Sequence, residues 1–222
     1  MGQKINPLGF RIAVTEQWRS RWYAHKKEFG RFLLEDQQIR KYILKNCTDI
    51  SKVEIERTGE AVTVYLHTAS PGLLIGKKGS KVDKLREDLE RTTGGKPVRL
   101  KIQEVHRREL ESVLVANDVA QQLEKRASFR RTLKKAIDTS IAAGAKGVKI
   151  RIAGRLGGAE MARVETQKRG QVPLNTLSAQ LDYGTAIACT NYRVIGVKVW
   201  LFKGKLAPGD TTKGLLSIPS KR

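Results

Sequence analysis

Acidic residues are scarce in this chain: 22 Asp and Glu stand against 43 Lys and Arg, a formal charge of +21 over 222 residues. A chain this basic repels itself unless a polyanion lies against it, and nucleic acid is the usual one. An anionic membrane would call for a basic amphipathic helix backed by bulky apolar residues, or for a lipid anchor, and neither stands out. No run approaches the ~18 apolar residues that crossing a bilayer requires, and residues 1–20 contain no apolar signal core. Cysteine is as rare. Cys47 and Cys189 are far apart in sequence, which argues against a disulfide framework and for a cytosolic compartment.

The chemistry of catalysis is missing too. His25, His67 and His106 fall into no metal-ligand spacing with one another or with the cysteines, and no Gly-x-Ser-x-Gly elbow occurs. A Walker A loop needs four residues between its first glycine and Gly-Lys-Ser/Thr. Here three separate Gly72 from Gly76, and Lys78 stands where the hydroxyl belongs. Asp83, Glu87 and Glu90 lie at helical spacing beside Lys84, Arg86 and Arg91, which suits surface ion pairs better than an acid/base pair. The expectation is therefore a binding protein, not an enzyme, with no cofactor, no metal and no small-molecule substrate.

What is present centres on Pro71 to Arg86, and within it on Gly76-Lys77-Lys78-Gly79. The apolar run Leu73 to Ile75 ends at Gly76, and Val82, Leu85 and Leu89 begin a helical pattern just past Gly79. Two short helices thus meet at a loop whose glycines let a backbone come close. The second helix aims its N-terminal amides, a natural phosphate seat, over that loop. Strands are predicted at Lys52 to Thr58, Ala61 to His67 and Val98 to Glu104, with a helix before them from Asp36 to Cys47. Strand, strand, helix, GKKG, helix, strand is the order of a KH domain, whose GXXG loop clamps a single-stranded backbone, and the preceding helix matches the type II variant. The alternative is a helix C-cap followed by a second helix, with the lysines merely solvated.

On either side of this unit the chain changes character. Residues 1–35 form a basic arm with Trp18, Trp22, Tyr23, Phe29 and Phe32 interleaved, suited to phosphates and stacked bases, to packing on the first domain, or to both. The KH unit spans 36–105. Residues 106–204 predict helices at Glu109 to Lys125 and Phe129 to Ala142. Strands follow at Val148 to Ala153, Met161 to Arg169, Leu181 to Cys189 and Val194 to Phe202, the last two turning near Thr190-Asn191-Tyr192. The fold class is therefore α+β in two domains: a KH domain with a three-stranded sheet, and a C-terminal domain of two helices on a small β-sheet. Gly144-Ala145-Lys146-Gly147 reads as a C-cap and turn. Residues 205–222, rich in Gly, Pro, Ser, Thr and Lys, predict a flexible tail.

The helix pair carries a second charged site. Arg126, Arg130 and Lys134 share one stripe at four-residue spacing, Arg131 and Lys135 the next, and no acid intervenes between Glu124 and Asp138. Solvated helix faces usually mix signs, so this reads as a phosphate-binding face. Arg155 and Arg163, in and after the glycine-rich loop Gly154-Arg155-Leu156-Gly157-Gly158-Ala159-Glu160, are further candidates for backbone contacts, as are Lys4 and Arg11 in the arm.

Met1 to Arg11, Pro71 to Gly79, Phe129-Arg130-Arg131, Gly144 to Gly147, Gly154 to Glu160, Val172-Pro173-Leu174 and Gly196-Val197-Lys198-Val199 together resemble the bacterial-type family of small-subunit ribosomal protein number three. The likeness runs over nearly the whole chain. It implies a place in the head of the small subunit, in the cytoplasm, with small-subunit ribosomal RNA, messenger RNA and neighbouring head proteins as partners. It also implies that Arg130, Arg131 and Lys134 line the channel by which messenger enters and help to open its secondary structure, and that Lys77 and Lys78 belong to the KH loop. The rival readings are a free KH regulator of messenger RNA and a nucleic-acid-processing enzyme.

Overall fold

The computed structural model describes residues 4–59, 61–76, 79–191 and 193–205. In them the chain divides into two units: residues 18–106, and residues 107–205 joined by residues 4–17. Residues 1–35, expected to form one arm, are thus shared between the two. Their first element, α1 (Pro7–Phe10), is a single turn capped by the Asn6 side chain, which accepts from the Leu8 N–H at 3.0 Å.

The unit of residues 18–106 runs β1 (Ser20–Arg21), α2 (Lys26–Asn46), β2 (Ile50–Thr58), β3 (Ala61–Thr68), α3 (Pro71–Ile75), α4 (Ser80–Thr92) and β4 (Val98–Glu104). Its sheet has the order β1-β2-β3-β4, antiparallel between β2 and β3 and parallel at the two outer pairings. Four strands, not three, are present, because β1 joins from the arm. Inward positions alternate along β2 (Val53, Ile55) and β3 (Val62, Val64, Leu66) and meet Ile39 and Ile43 of α2 and Leu85 and Leu89 of α4.

Helix α2 begins at Lys26, well before the expected Asp36. Apolar periodicity hides this start, because Leu33 and Leu34 are exposed and the buried positions are the carboxylates Glu35 and Asp36. Arg57 reaches both, at 2.7 and 2.5 Å, and its guanidinium lies over the Phe32 ring. Trp22 packs on Phe29 and Phe32 and donates to Asp36 at 2.8 Å. A long-range ion cluster, invisible to a periodicity search, extends the helix.

The other unit adds α5 (Ser112–Glu124), α6 (Phe129–Ala142), β5 (Gly147–Gly154), β6 (Arg163–Gly170), β7 (Ala179–Thr190) and β8 (Arg193–Lys205). The strands form an antiparallel sheet in the order β6-β5-β8-β7. Helix α5 lies over β7 and β8, and α6 over β5 and β6. Their apolar stripes, Val115, Val119 and Leu123 on one and Leu133 and Ile137 on the other, close on Ile150, Ile152, Val197, Val199 and Leu201. Each such side chain, fully buried, contributes about 1.5–3 kcal/mol.

Close approach of α5 to the sheet needs a residue without a side chain at Gly184, where a Cβ would stand 2.4 Å from the Ser112 carbonyl carbon. Asp182, two residues earlier, accepts from the Ser112 N–H at 2.8 Å and sets a negative charge at the positive end of α5. Gly144 ends α6 at φ +108°, as the C-cap reading requires. The turn residue Tyr192 and the tail beyond Lys205 lie outside the described residues. Among the described residues no helix is long and apolar enough to cross a membrane, and no three metal-binding side chains gather.

Candidate nucleic-acid interface

The GKKG segment stands where the motif places it, between α3 and α4. Gly76 has φ +71° and Gly79 φ +80°, conformations that favour glycine, and they swing the chain from one helix axis into the next. Lys77 and Lys78 themselves lie outside the described residues. Helix α4 starts at Ser80 with Gly79 as its cap residue, so no side chain caps its first N–H groups. Those amides are the anion-seeking end of a helix of 13 residues.

Sequence reasoning passed over Lys81, yet it organises the loop. Its Nζ donates to the Leu73 carbonyl at 3.2 Å, and its stem passes so close beneath Gly76 that a Cβ there would lie 2.8 Å from the Lys81 Cγ. Leu73 and Ile75 are 64% and 40% exposed beside the loop, and both α3 and α4 pack against β4, the edge of the sheet. Exposed apolar side chains thus flank the turn into α4, beside the edge strand of the sheet.

The second site lies on α6. Arg130, Arg131, Lys134 and Lys135 are all exposed, and none forms an ion pair among the described residues. No acid occupies the first turn of the helix. Cations at a helix N-terminus oppose its dipole, and Arg130 with Lys134, like Arg131 with Lys135, repel at four-residue spacing. The face is therefore electrostatically unfavourable by itself, and a nearby anion would relieve it. Phe129 anchors it: the guanidinium groups of Arg130 and Arg163 lie 5.7 and 5.3 Å from its ring centroid. Arg163, on β6, thus joins the α6 face, a meeting that sequence distance conceals.

Three other candidates are placed differently from expectation. Arg126 is not on the helical stripe: α5 ends at Glu124, and Arg126 occupies the turn before α6 at φ +58°. Arg11 is fully buried. Its guanidinium donates to the carbonyls of Pro7, Pro173, Leu174, Thr176 and Ala179 at 2.9–3.2 Å, and burial pushes its pKa down. It ties the N-terminal turn to the 173–179 segment and, wholly enclosed, is out of reach of a phosphate. Arg155 donates through Nε to Ala159 at 2.8 Å and holds its own loop around buried Leu156. Lys4 remains exposed. Of the arm's aromatics, Trp18, Tyr23 and Phe29 are exposed, the last against Trp22, whereas Trp22 and Phe32 pack on each other and lie beside the Arg57 guanidinium.

Comparison with known proteins matches both units. A family model described as KH domain covers residues 36–110, and one described as ribosomal protein S3, C-terminal domain, covers residues 119–201. The small ribosomal subunit protein uS3 of Caldicellulosiruptor saccharolyticus is 49% identical over 210 residues, 94% of this chain and 95% of that one. That of Alkalilimnicola ehrlichii is 49% identical over 95% of this chain and 93% of its own, and that of Finegoldia magna 46% identical over 100% and 91%.

Proposed function

The chain belongs to the small ribosomal subunit protein uS3 family, and from that premise we propose that it is a structural, non-enzymatic component of the small-subunit head that also grips incoming messenger RNA. It binds ribosomal RNA in the cytoplasmic ribosome, contacts neighbouring head proteins and lines the channel by which messenger enters.

The observation that carries the messenger reading is the α6 face. Arg130, Arg131 and Lys134 are exposed and unpaired at the amino end of a helix, an arrangement that costs stability unless an anion answers it. Held against a moving strand, these cations neutralise phosphates without reading bases, so the grip tolerates any sequence. A duplex has to yield a single strand to pass them. The work of opening is supplied by translocation, and this chain need bind no nucleotide to contribute. The KH loop, with Lys77 and Lys78 between its glycines, is a second backbone clamp, for ribosomal RNA or for messenger.

Replacing Arg130, Arg131 and Lys134 by alanine should slow translation through a messenger hairpin while subunits still assemble. Equal rates on hairpin and unstructured templates would overturn the messenger reading. Reversing charge with Lys77→Asp and Lys78→Asp separates the roles of the loop: loss of assembly assigns it to ribosomal RNA, and normal assembly with altered initiation assigns it to messenger.

A further inference from the structure

The sheet of the C-terminal unit has two faces, and only one is covered by helices. Ile150, Ile152, Val197 and Val199 are buried against α5 and α6, so their neighbours in sequence point the other way. The register assembles those neighbours into rows. Lys149 stands between Lys168 on β6 and Trp200 on β8, and Trp200 stands beside Tyr183 on β7. In the next row Arg151 stands beside Lys198. With strands about 4.8 Å apart and rows roughly 7 Å apart, four cations fall within a patch of about 10 by 7 Å.

Nothing on the described part of the protein answers them. None of the four forms an ion pair among the described residues, and the register places no Asp or Glu on this face. The nearby acids turn to the helix side, Asp182 onto the start of α5 and Glu165 opposite Ile152. Arg169, one residue beyond Lys168, also turns inward and is neutralised by Asp138 of α6. On the α6 side Arg169 has Asp138 and Arg163 has the Phe129 ring, whereas Lys168, facing outward, has no acid. Like charges directly across a strand pair oppose sheet formation, yet Lys149 faces Lys168 and Arg151 faces Lys198. Burial lowers the pKa of Lys149, and Lys4, Lys168 and Arg151 lower it further, which places the N-terminal Lys4 within reach of the same patch.

The aromatic members are already organised. The Lys149 ammonium lies 5.2 Å from the Trp200 ring centroid, and Trp200 and Tyr183 lie 5.3 Å apart at 42°. Beyond this row the face closes, because Val172 and Leu174 cover Leu181 and Phe202. The basic rows are what that cover leaves open.

We propose that the helix-free face of this sheet is a further RNA-binding surface, on which Lys149, Arg151, Lys168 and Lys198 hold phosphates and the Trp200–Tyr183 pair receives a base or ribose. This rests on the ribosomal reading above and deepens it. Helix α6 packs on the opposite face of the same sheet, so the C-terminal unit presents cations on both sides. The α6 side faces messenger, and the sheet side is held by fixed ribosomal RNA.

The test uses the full-length protein and small-subunit ribosomal RNA as probe. Changing Lys149, Arg151, Lys168 and Lys198 to glutamine should reduce the slope of log affinity against log salt by about 3, at roughly 0.7 for each phosphate no longer neutralised. The melting temperature should not fall, since the change removes repulsion. Arginine at all four positions should restore the slope. In assembled subunits, Lys149, Lys168 and Lys198 should resist an amine-acetylating reagent, and ribonuclease treatment should expose them. An unchanged slope, or equal reactivity in free protein and subunit, overturns the proposal. Protection that survives ribonuclease also overturns it and assigns the face to an acidic protein. Failure of the wild-type protein to co-sediment with small subunits would instead overturn the ribosomal reading itself.

Discussion

Removing one positive charge, Arg131→Gln, should make this protein more stable and a poorer RNA binder. Arg131 lies in the first turn of α6, exposed, with no acid in that turn and no ion pair among the described residues. A cation there opposes the helix dipole by about 0.3–1 kcal/mol, and its repulsion of Lys135 at four-residue spacing adds about 0.2–0.5 kcal/mol. Glutamine and arginine have similar helix propensities, so the expected gain is about 0.5–1.5 kcal/mol, or roughly 1–6 °C in melting temperature for a chain of this size. Arg130→Gln should gain less, because it also removes the stack on Phe129, worth about 0.5–1 kcal/mol. Melting curves at low salt and at about 1 M salt decide the matter. At the higher salt the Debye length is roughly 3 Å and the difference should vanish. RNA binding by the same variant should lose about 0.7 from its salt slope. Destabilisation at low salt, or a gain that persists at high salt, would refute the reasoning and return α6 to an ordinary solvated face.

Arg57→Met strips the shared partner from Glu35 and Asp36, both nearly buried, and should cost about 3–5 kcal/mol in urea unfolding followed by Trp22 fluorescence. Lys96, Ser20 and Trp22 still bond the two carboxylates and hold the loss toward the lower figure. Burial alone would raise the Glu35 pKa, but hydrogen bonds and charge from Arg57 and Lys96 hold it below the ordinary value. Its contribution is therefore complete above the unfolded carboxyl pKa of about 4.3 and is lost as pH falls through the lower folded value. Glu35→Gln should flatten the acid limb of melting temperature against pH. Gly184→Val forces a Cβ against the Ser112 backbone and should lower stability by about 1–3 kcal/mol or more, read by thermal unfolding. Arg11→Met leaves five carbonyls without their donor and should cost about 2–4 kcal/mol, with no change in the salt slope of RNA binding.

Local chemistry was legible without a structure. The GKKG glycines, the alternation in β2 and β3 and the helical stripes of α5 and α6 each announce themselves within about fifteen residues, because helices and strands bury one face at a fixed period. Helix α6 occupies the bounds that its pattern predicts, and the charge of +21 points to a polyanion from composition alone. The start of α2 was not legible. Its buried face is carried by Glu35 and Asp36, which belong in a core only because Arg57 arrives from β2.

The same division governs the basic residues. The sequence by itself pointed to a nucleic-acid partner, marked a KH loop and a cationic helix as its candidate contacts, and showed which family it resembles. Only the tertiary structure decided which cations are available. Arg11 and Lys4 look alike in the arm, yet the first is enclosed by five carbonyls and the second is exposed. Arg126 has the spacing of a helical stripe and sits in a left-handed turn. Lys149, Arg151, Lys168 and Lys198 are scattered over fifty positions and become one patch only when β5, β6 and β8 pair. The physical reason is range: periodicity reports the environment of a residue's neighbours along the chain, whereas the sign and openness of a surface are set by side chains brought together across it.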